Sequence, residues 1–420
     1  MPFAFSRSRK IQQMIRNDSR HTNLILLLIV MGGSLLKSLY ALTRNVFPSG
    51  PDAPGFIPPA ENFNQFGFFG ASVDLSTIYS AGYPYFLSFL VEIGGESWYK
   101  AAQVAQIILF ALGTLMMART LVNLGYLKGA MVFTFVLSLH PGWLVATSMA
   151  MYESLLFFLF AVFFGLISKR ILNPASTDEV KLGLFTGSLI GAVILVHPRG
   201  ILFFLPFLFF GLLKKSNVIR FLIPFSLTLG IFLSMTIIRT HLDSGTFNLG
   251  GDVWAASWIG RENLELCRNA FCYLNTWITD PVDSLIHSVK NLWYFLTPYS
   301  GPTVKGTWFH NISLQYYLYS HGHLEASLIV AYTLTIFGIL LFGASYVRLS
   351  LDESKRTIHL LKPMTVSILL VALTDILVYG DNRHRLIIVP IVLFLHVLAN
   401  FNASKLPLSA KETKSHQQYS

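Results

Sequence analysis

Two cysteines in 420 residues, Cys267 and Cys272, are too few for a disulfide framework or a thiolate metal site. Charge is scarce as well. Asp, Glu, Lys and Arg make up 12% of the chain, where a soluble domain carries about 25%. There is no phosphate loop, zinc motif, nucleophile elbow or nucleotide fingerprint. That absence argues against a cytoplasmic sugar-nucleotide donor. The two halves show no matching broken helices and few intramembrane charges, which counts against a repeat-built transporter. No small-residue cleavage site follows the first apolar run, so that run reads as a retained helix.

What is present is apolar. Hydrophobic residues make up 53% of the chain, and Phe alone occurs 35 times. A bilayer crossing needs roughly 20 apolar residues at 1.5 Å rise per residue. Runs of that kind predict spans at about 24–43, 100–122, 129–147, 152–168, 182–197, 200–213, 218–238, 326–347, 363–379 and 386–402. The expected fold is an all-α polytopic membrane protein of about ten transmembrane helices, with two long external loops carrying interfacial helices. A basic arm occupies 1–23, one transmembrane domain 24–402, and a polar tail 403–420.

The formal net charge of +10 would suggest nucleic acid in a soluble protein. Here its distribution decides. With the arm (Arg7, Arg9, Lys10, Arg16, Arg20) in the cytoplasm, short loops and ends on the same side hold Arg119, Lys128, Lys169, Arg170, Lys181, Lys214, Lys215, Arg220, Arg348, Lys355, Arg356, Lys362, Lys405, Lys411 and Lys414. That is about 20 of the 31 basic residues, as the positive-inside rule requires. Both termini are therefore expected inside, and no nucleic-acid partner is needed to explain the charge.

Two external segments are long, about 44–99 and 240–324, and loops of such length in a compact protein are usually functional. The first ends in an apolar stretch from Gly82 to Gly95, about 20 Å as a helix and too short to cross. It is expected to lie at the interface or to re-enter. In the second, Asp280 can cap, Pro281 suits a first helical turn, and Asp283 favours the positive end of the helix dipole. Val282, Leu285, Ile286, Val289, Leu292, Trp293 and Leu296 then recur at helical spacing, with Asp283, His287, Lys290 and Asn291 facing away. This predicts an amphipathic helix on the outer membrane surface; packing on an external domain is the alternative.

Ionisable groups at the bilayer edge are functional candidates, and they gather on the outer side. Asp52, Glu61 and Asp74 lie in the first loop, where carboxylates can act as a base or hold a divalent metal; a solvated loop acid is the plainer reading. Glu153 opens the fourth span, where the helix dipole alone favours an acid. His197-Pro198-Arg199-Gly200 forms an outer corner, and a guanidinium in that apolar setting needs an anion, a phosphate or a structural carboxylate. Asp381-Asn382-Arg383-His384-Arg385 precedes the last span; it suits a phosphate, or snorkelling toward headgroups. Cys267 and Cys272 can bridge in an oxidising compartment or remain thiols.

In this order the motifs resemble the multi-spanning C-type glycosyltransferases that use polyprenyl-phosphate sugars, a group that includes protein O-mannosyltransferases and lipid A aminoarabinose transferases. The resemblance covers most of the chain. It rests on Pro51-Asp52 with Ala60, Tyr79-Ser80-Ala81-Gly82-Tyr83-Pro84 before Gly94-Gly95, Glu153, His197-Pro198-Arg199-Gly200, Phe247-Asn248-Leu249-Gly250-Gly251, Asp280-Pro281 ahead of Lys290, and Arg383-His384-Arg385 with Pro390. Phe56 stands where another aromatic is usual, Ser80-Ala81-Gly82 replaces Pro-Pro-Gly, and His384 replaces Tyr.

The resemblance implies a donor lipid in the outer leaflet of a bacterial inner membrane and a lipid, glycan or protein acceptor. It also implies catalysis by Asp52, with Glu153 or Glu61 as further acids. Arg199, Arg383, Arg385 and His197 would bind the donor phosphate. Carboxylates alone suffice for this chemistry, and a divalent metal stays open. The competing expectations are an O-antigen-type polymerase or ligase, and a transporter or flippase of lipid-linked sugars.

Overall fold

The computed structural model describes residues 3–43, 53–67, 80–172, 178–212, 218–244, 270–296, 324–351, 358–377 and 385–401. Among them the only regular structure is helical. In chain order the α-helices are α1 (Phe3–Thr43), α2 (Ala53–Phe66), α3 (Gly82–Gly94), α4 (Trp98–Asn123), α5 (Leu127–Leu139), α6 (Pro141–Ala146), α7 (Glu153–Leu172) and α8 (Glu179–Val196). They continue with α9 (Ile201–Leu212), α10 (Val218–Ser244), α11 (Ala270–Thr279), α12 (Pro281–Leu296), α13 (Leu324–Leu351), α14 (Ile358–Leu377) and α15 (Arg385–Asn400).

Five helical segments among the described residues are long and apolar enough to cross a membrane: His21–Ala41, Gly82–Asn123, Glu153–Ile171, Glu179–Val196 and Val218–Arg239. Five shorter apolar helices, Leu127–Leu139, Ile201–Phe210, Gly338–Leu351, Leu360–Thr374 and Leu386–Asn400, accompany them. The chain is thus an all-α membrane protein. A broad set of helices turns apolar side chains outward. On α10, Ile219, Ile223, Leu227, Ile231, Met235 and Ile238 form one exposed stripe, the pattern of a helix solvated by lipid tails rather than water.

The expected span 129–147 is not one helix. It breaks at His140, whose extended backbone (φ −61°, ψ 122°) is what a following proline imposes. Pro141 then starts the short helix α6, whose free N–H groups at Trp143 and Leu144 both return to the His140 carbonyl. The expected short span 182–197 is longer than drawn. Asp178 caps α8 by accepting from the backbone N–H of Val180 (3.1 Å) and of Lys181 (3.4 Å).

The apolar segment Gly82–Asn123 doubles back on itself. Gly95 adopts a left-handed φ of 50° between α3 and α4, where glycine carries no Cβ penalty. The fold-back is required by one contact: the Tyr83 hydroxyl donates to Gln106 Oε1 at 2.6 Å, whereas a continuous helix would hold these residues about 34 Å apart. The start of α3 also presses on the end of α8, for a Cβ on Gly82 would come within 2.6 Å of the Leu195 carbonyl carbon. So α3 is the first arm of a helical hairpin, packed on α4 and on the end of α8.

Helix α8 grips α10 along Gly183, Gly187 and Gly191. A Cβ on these would overlap the Phe221 carbonyl, the Phe225 carbonyl and the Phe232 ring in turn. Small residues at four-residue spacing let membrane helices approach to backbone contact. The core runs through α4, α5, α7, α9 and α15, where Phe110, Phe133, Phe157, Phe160, Phe164, Phe204, Phe207 and Phe394 are buried. The abundant phenylalanine packs here largely edge-to-face, as in Phe164 against Phe207 (88°) and Phe394 (80°).

Helix α12 begins as its sequence predicts, with the Asp283 N–H donating to Asp280 Oδ1 at 3.1 Å. Its orientation refines the expectation. Ser284, His287, Ser288 and Asn291 are buried, and α12 packs on α14. Val282, Leu285, Ile286 and Val289 are exposed. The polar side therefore divides: His287 and Asn291 meet protein while Lys290 stays exposed. Among the described residues nothing covers the apolar face, which is the arrangement an interfacial helix takes.

Candidate functional site

The chain between α6 and α7, Thr147 to Tyr152, is not helical although it lies among membrane helices. Irregular backbone at such depth survives only where protein satisfies it. Two glutamines of α4 do so. Gln103 Nε2 donates to the Ser148 carbonyl at 2.8 Å. Gln106 Nε2 donates to the Met149 carbonyl at 2.7 Å and the Thr147 carbonyl at 3.2 Å, while its Oε1 accepts from Tyr83 and, at 3.4 Å, from the Met151 N–H. Gln106 is fully buried. One side chain therefore ties together α3, α4 and the segment that delivers Glu153.

Glu153 is the first residue of α7 and has no exposed surface. The unpaired N–H groups of a helix start favour a carboxylate there. Around it stand aromatic rings from three other segments. Tyr152 lies against the His197 ring at 4.6 Å. Phe56 of α2 meets Tyr83 at 5.0 Å and Tyr152 at 6.1 Å, both edge-on.

The corner His197–Gly200 closes the same site from the side. Arg199 is the middle residue of a 3-10 turn, Pro198–Gly200. A Cβ on Gly200 would come within 2.8 Å of Leu156 in the first turn of α7, so the turn is pressed on the helix that Glu153 begins. Arg385 is the first residue of α15. The next residue, Leu386, would lie 2.5 Å from a Cβ on Gly142, which places the start of α15 beside the break between α5 and α6. Three sequence-distant segments thus meet, the start of α2, the start of α7 and the His197 corner, while the start of α15 lies against α6.

Glu61 is half-buried on α2, five residues beyond Phe56. Cys272 lies on α11. Asp52, Asp74, Tyr79, Phe247 to Gly251, Cys267, Arg383 and His384 lie outside the described residues. Among the described residues no three His, Cys, Asp or Glu side chains gather where they would hold a metal ion.

Three participants escaped the sequence reading. Gln103 and Gln106 sit three residues apart in an apolar span, a spacing that puts two amides on one helix face. Lys37 is the third. It lies in the first span with 1% of its surface exposed. Its ammonium donates to the Ser138 carbonyl and stands 4.7 Å from the centre of the Phe110 ring, a cation–π contact in an apolar setting. Phe110 in turn packs on Trp143 (4.9 Å) and Phe157 (5.6 Å), one turn below Glu153. An intramembrane cation is the signal that should have marked it.

Comparison with protein-family models, with curated proteins and with solved structures returns no match.

Proposed function

We propose that the chain is an integral membrane glycosyltransferase, crossing a bacterial inner membrane about ten times with both termini inside. It moves a sugar from a polyprenyl-phosphate donor to a lipid, glycan or protein acceptor at the external face. The observation that carries this reading is the meeting of α2, α7 and the His197 corner around the buried Glu153. These segments carry or adjoin residues of the motif series: Asp52 precedes α2, Glu153 opens α7 and Arg199 sits in the corner, and Arg385 opens α15. On this reading each of the five shorter apolar helices, together with the residues that flank it, accounts for one further crossing.

The chemistry follows from the residue types. An acceptor hydroxyl attacks the anomeric carbon, the carbon–oxygen bond to phosphate breaks, and the polyprenyl phosphate departs with the bonding pair, inverting the centre. The leaving group is already an anion, so it needs charge stabilisation rather than protonation. Arg199, Arg383 and Arg385 supply it, with His197 beside them. Asp52 takes the proton of the acceptor hydroxyl. Glu153 orients Arg199 and keeps that cation compensated when no donor is bound.

Substitution separates these roles. Asp52→Asn preserves size and removes the base. Turnover is expected to fall by at least about 100-fold, with normal membrane insertion and unchanged donor binding. Full turnover in that variant would move the base to Glu61 or Glu153. Orientation has its own test: a cysteine label at Ser176 is expected to be protected in intact cells and one at Gly306 to react. The reverse pattern would put the site on the wrong face.

A further inference from the structure

Alongside the site just described, α2 and α3 run side by side and leave a cavity of about 430 Å³ between them. Pockets of this order take small ligands. Its walls are Phe63, Asn64, Tyr85, Ser88, Phe89 and Glu92. The same two helices reach both the cavity and the site. Phe56, on the Tyr83 and Tyr152 rings, is two helical turns before Phe63, and Tyr83 is two residues before Tyr85.

The lining has a definite chemistry. Phe63 and Tyr85 meet edge-to-face at 5.0 Å, and Phe89 presents a ring with 59% of its surface open. Asn64 is exposed, with its amide 3.5 Å from the Ser88 carbonyl. The Ser88 hydroxyl is turned back to the Tyr85 carbonyl at 2.9 Å. Glu92 is exposed at the rim. Among the described residues no Lys, Arg or His lines the cavity.

The Glu92 carboxylate at the rim repels a phosphate, which disfavours a donor headgroup here. The amide and carboxylate are equally wrong for an acyl chain. Aromatic faces with hydrogen-bonding groups at their edges suit a neutral polyhydroxylated ligand. Its C–H faces lie on the rings, and its hydroxyls donate to Glu92 in charge-assisted hydrogen bonds.

We propose that the groove between α2 and α3 binds a neutral glycan, and that it holds the acceptor next to the reacting centre. The second half of this statement rests on the transferase reading; the first does not.

The test is binding of neutral and uronate-containing oligosaccharides, hexamers of mannose, glucose, galactose and their acidic counterparts, to the full chain in nanodiscs, without any donor. At least one neutral series is expected to bind, and its acidic counterpart to bind about tenfold more weakly. Phe89→Ala and Glu92→Gln each weaken the neutral ligand by about tenfold. Both side chains are exposed, so neither change threatens folding. Binding of no glycan, equal binding of acidic glycans, or affinities unchanged in both variants overturns the proposal, as does preference for a peptide over every glycan. Glycan binding that needs Phe89 and Glu92 in a protein that transfers nothing keeps the groove and removes the enzyme. Transfer with an acceptor KM unaffected by both substitutions keeps the enzyme and removes the groove.

Discussion

Replacing Gln106 by Leu keeps its size and removes the amide that accepts from Tyr83 and Met151 and donates to Thr147 and Met149. Four groups then lose this partner in a fully buried place. An orphaned buried polar group costs about 1–3 kcal/mol in soluble proteins, while hydrogen bonds between membrane helices average about 0.6 kcal/mol each. The two scales bracket a loss of roughly 2–12 kcal/mol, with relaxation of the 147–152 segment favouring the lower half. Tyr83→Phe removes one bond of the set and is expected to cost about 1 kcal/mol. Unfolding in mixed micelles of increasing denaturing-detergent fraction gives both values on one scale. The same variants report on function, because Gln106 places the segment that delivers Glu153. Gln106→Leu should therefore lose turnover even where the fold survives, while Tyr83→Phe retains most of it. If Gln106→Leu is no less stable than Tyr83→Phe, the amide is not the fastening described, and the positioning of Glu153 needs another cause.

The remaining predictions concern charge and packing. Arg199→Ala should destabilise the protein and abolish donor binding, and Arg199→Lys should weaken binding in a folded protein because the forked donor set is lost. Adding Glu153→Gln to Arg199→Ala should restore stability without activity; restoration of both would make the arginine a structural ion-pair partner only. Lys37→Met exchanges a buried cation for an apolar chain of similar length and should leave thermal stability unchanged or higher; a drop of more than about 2 kcal/mol would contradict that. The ion pair Arg170–Glu179 (2.6 Å), with side chains only 4% and 14% exposed, should matter more than the exposed Lys181–Asp178 pair at 3.9 Å, which thermal denaturation of Arg170→Ala and Lys181→Ala will show. Gly187→Leu would drive a side chain into the Phe225 carbonyl and should strip α10 from α8, read as protease sensitivity near Ser216.

Much of the helical framework is legible in the residues. Runs of apolar residues locate the segments, and local chemistry marks their ends: Asp178 and Asp280 cap α8 and α12 as acceptors ahead of free N–H groups. Less visible was anything that depends on a partner far along the chain. The fold-back of α3 follows from Tyr83 meeting Gln106, and the outward apolar face of α12 follows from what α14 offers it. The break at His140–Pro141 was there to be read, since proline restricts the residue before it, but an unbroken apolar run overrode it. Glu153, His197 and Arg199 stood out as polar groups at helix ends in an apolar sequence. Gln103, Gln106 and Lys37 did not, because a polar residue inside an apolar span reveals its role only when its carbonyl or ring partners are known.

The most direct test of the account is a donor screen on the purified chain in liposomes. Polyprenyl-phosphate sugars are supplied on the external side with membrane-extract acceptors, and products are followed by mass. The account predicts glycosylated product and free polyprenyl phosphate in equal amounts for one donor class, both lost in Asp52→Asn and in Arg199→Ala. Movement of intact donor across the bilayer, with no sugar transferred from any donor, would contradict it and leave a transporter in its place.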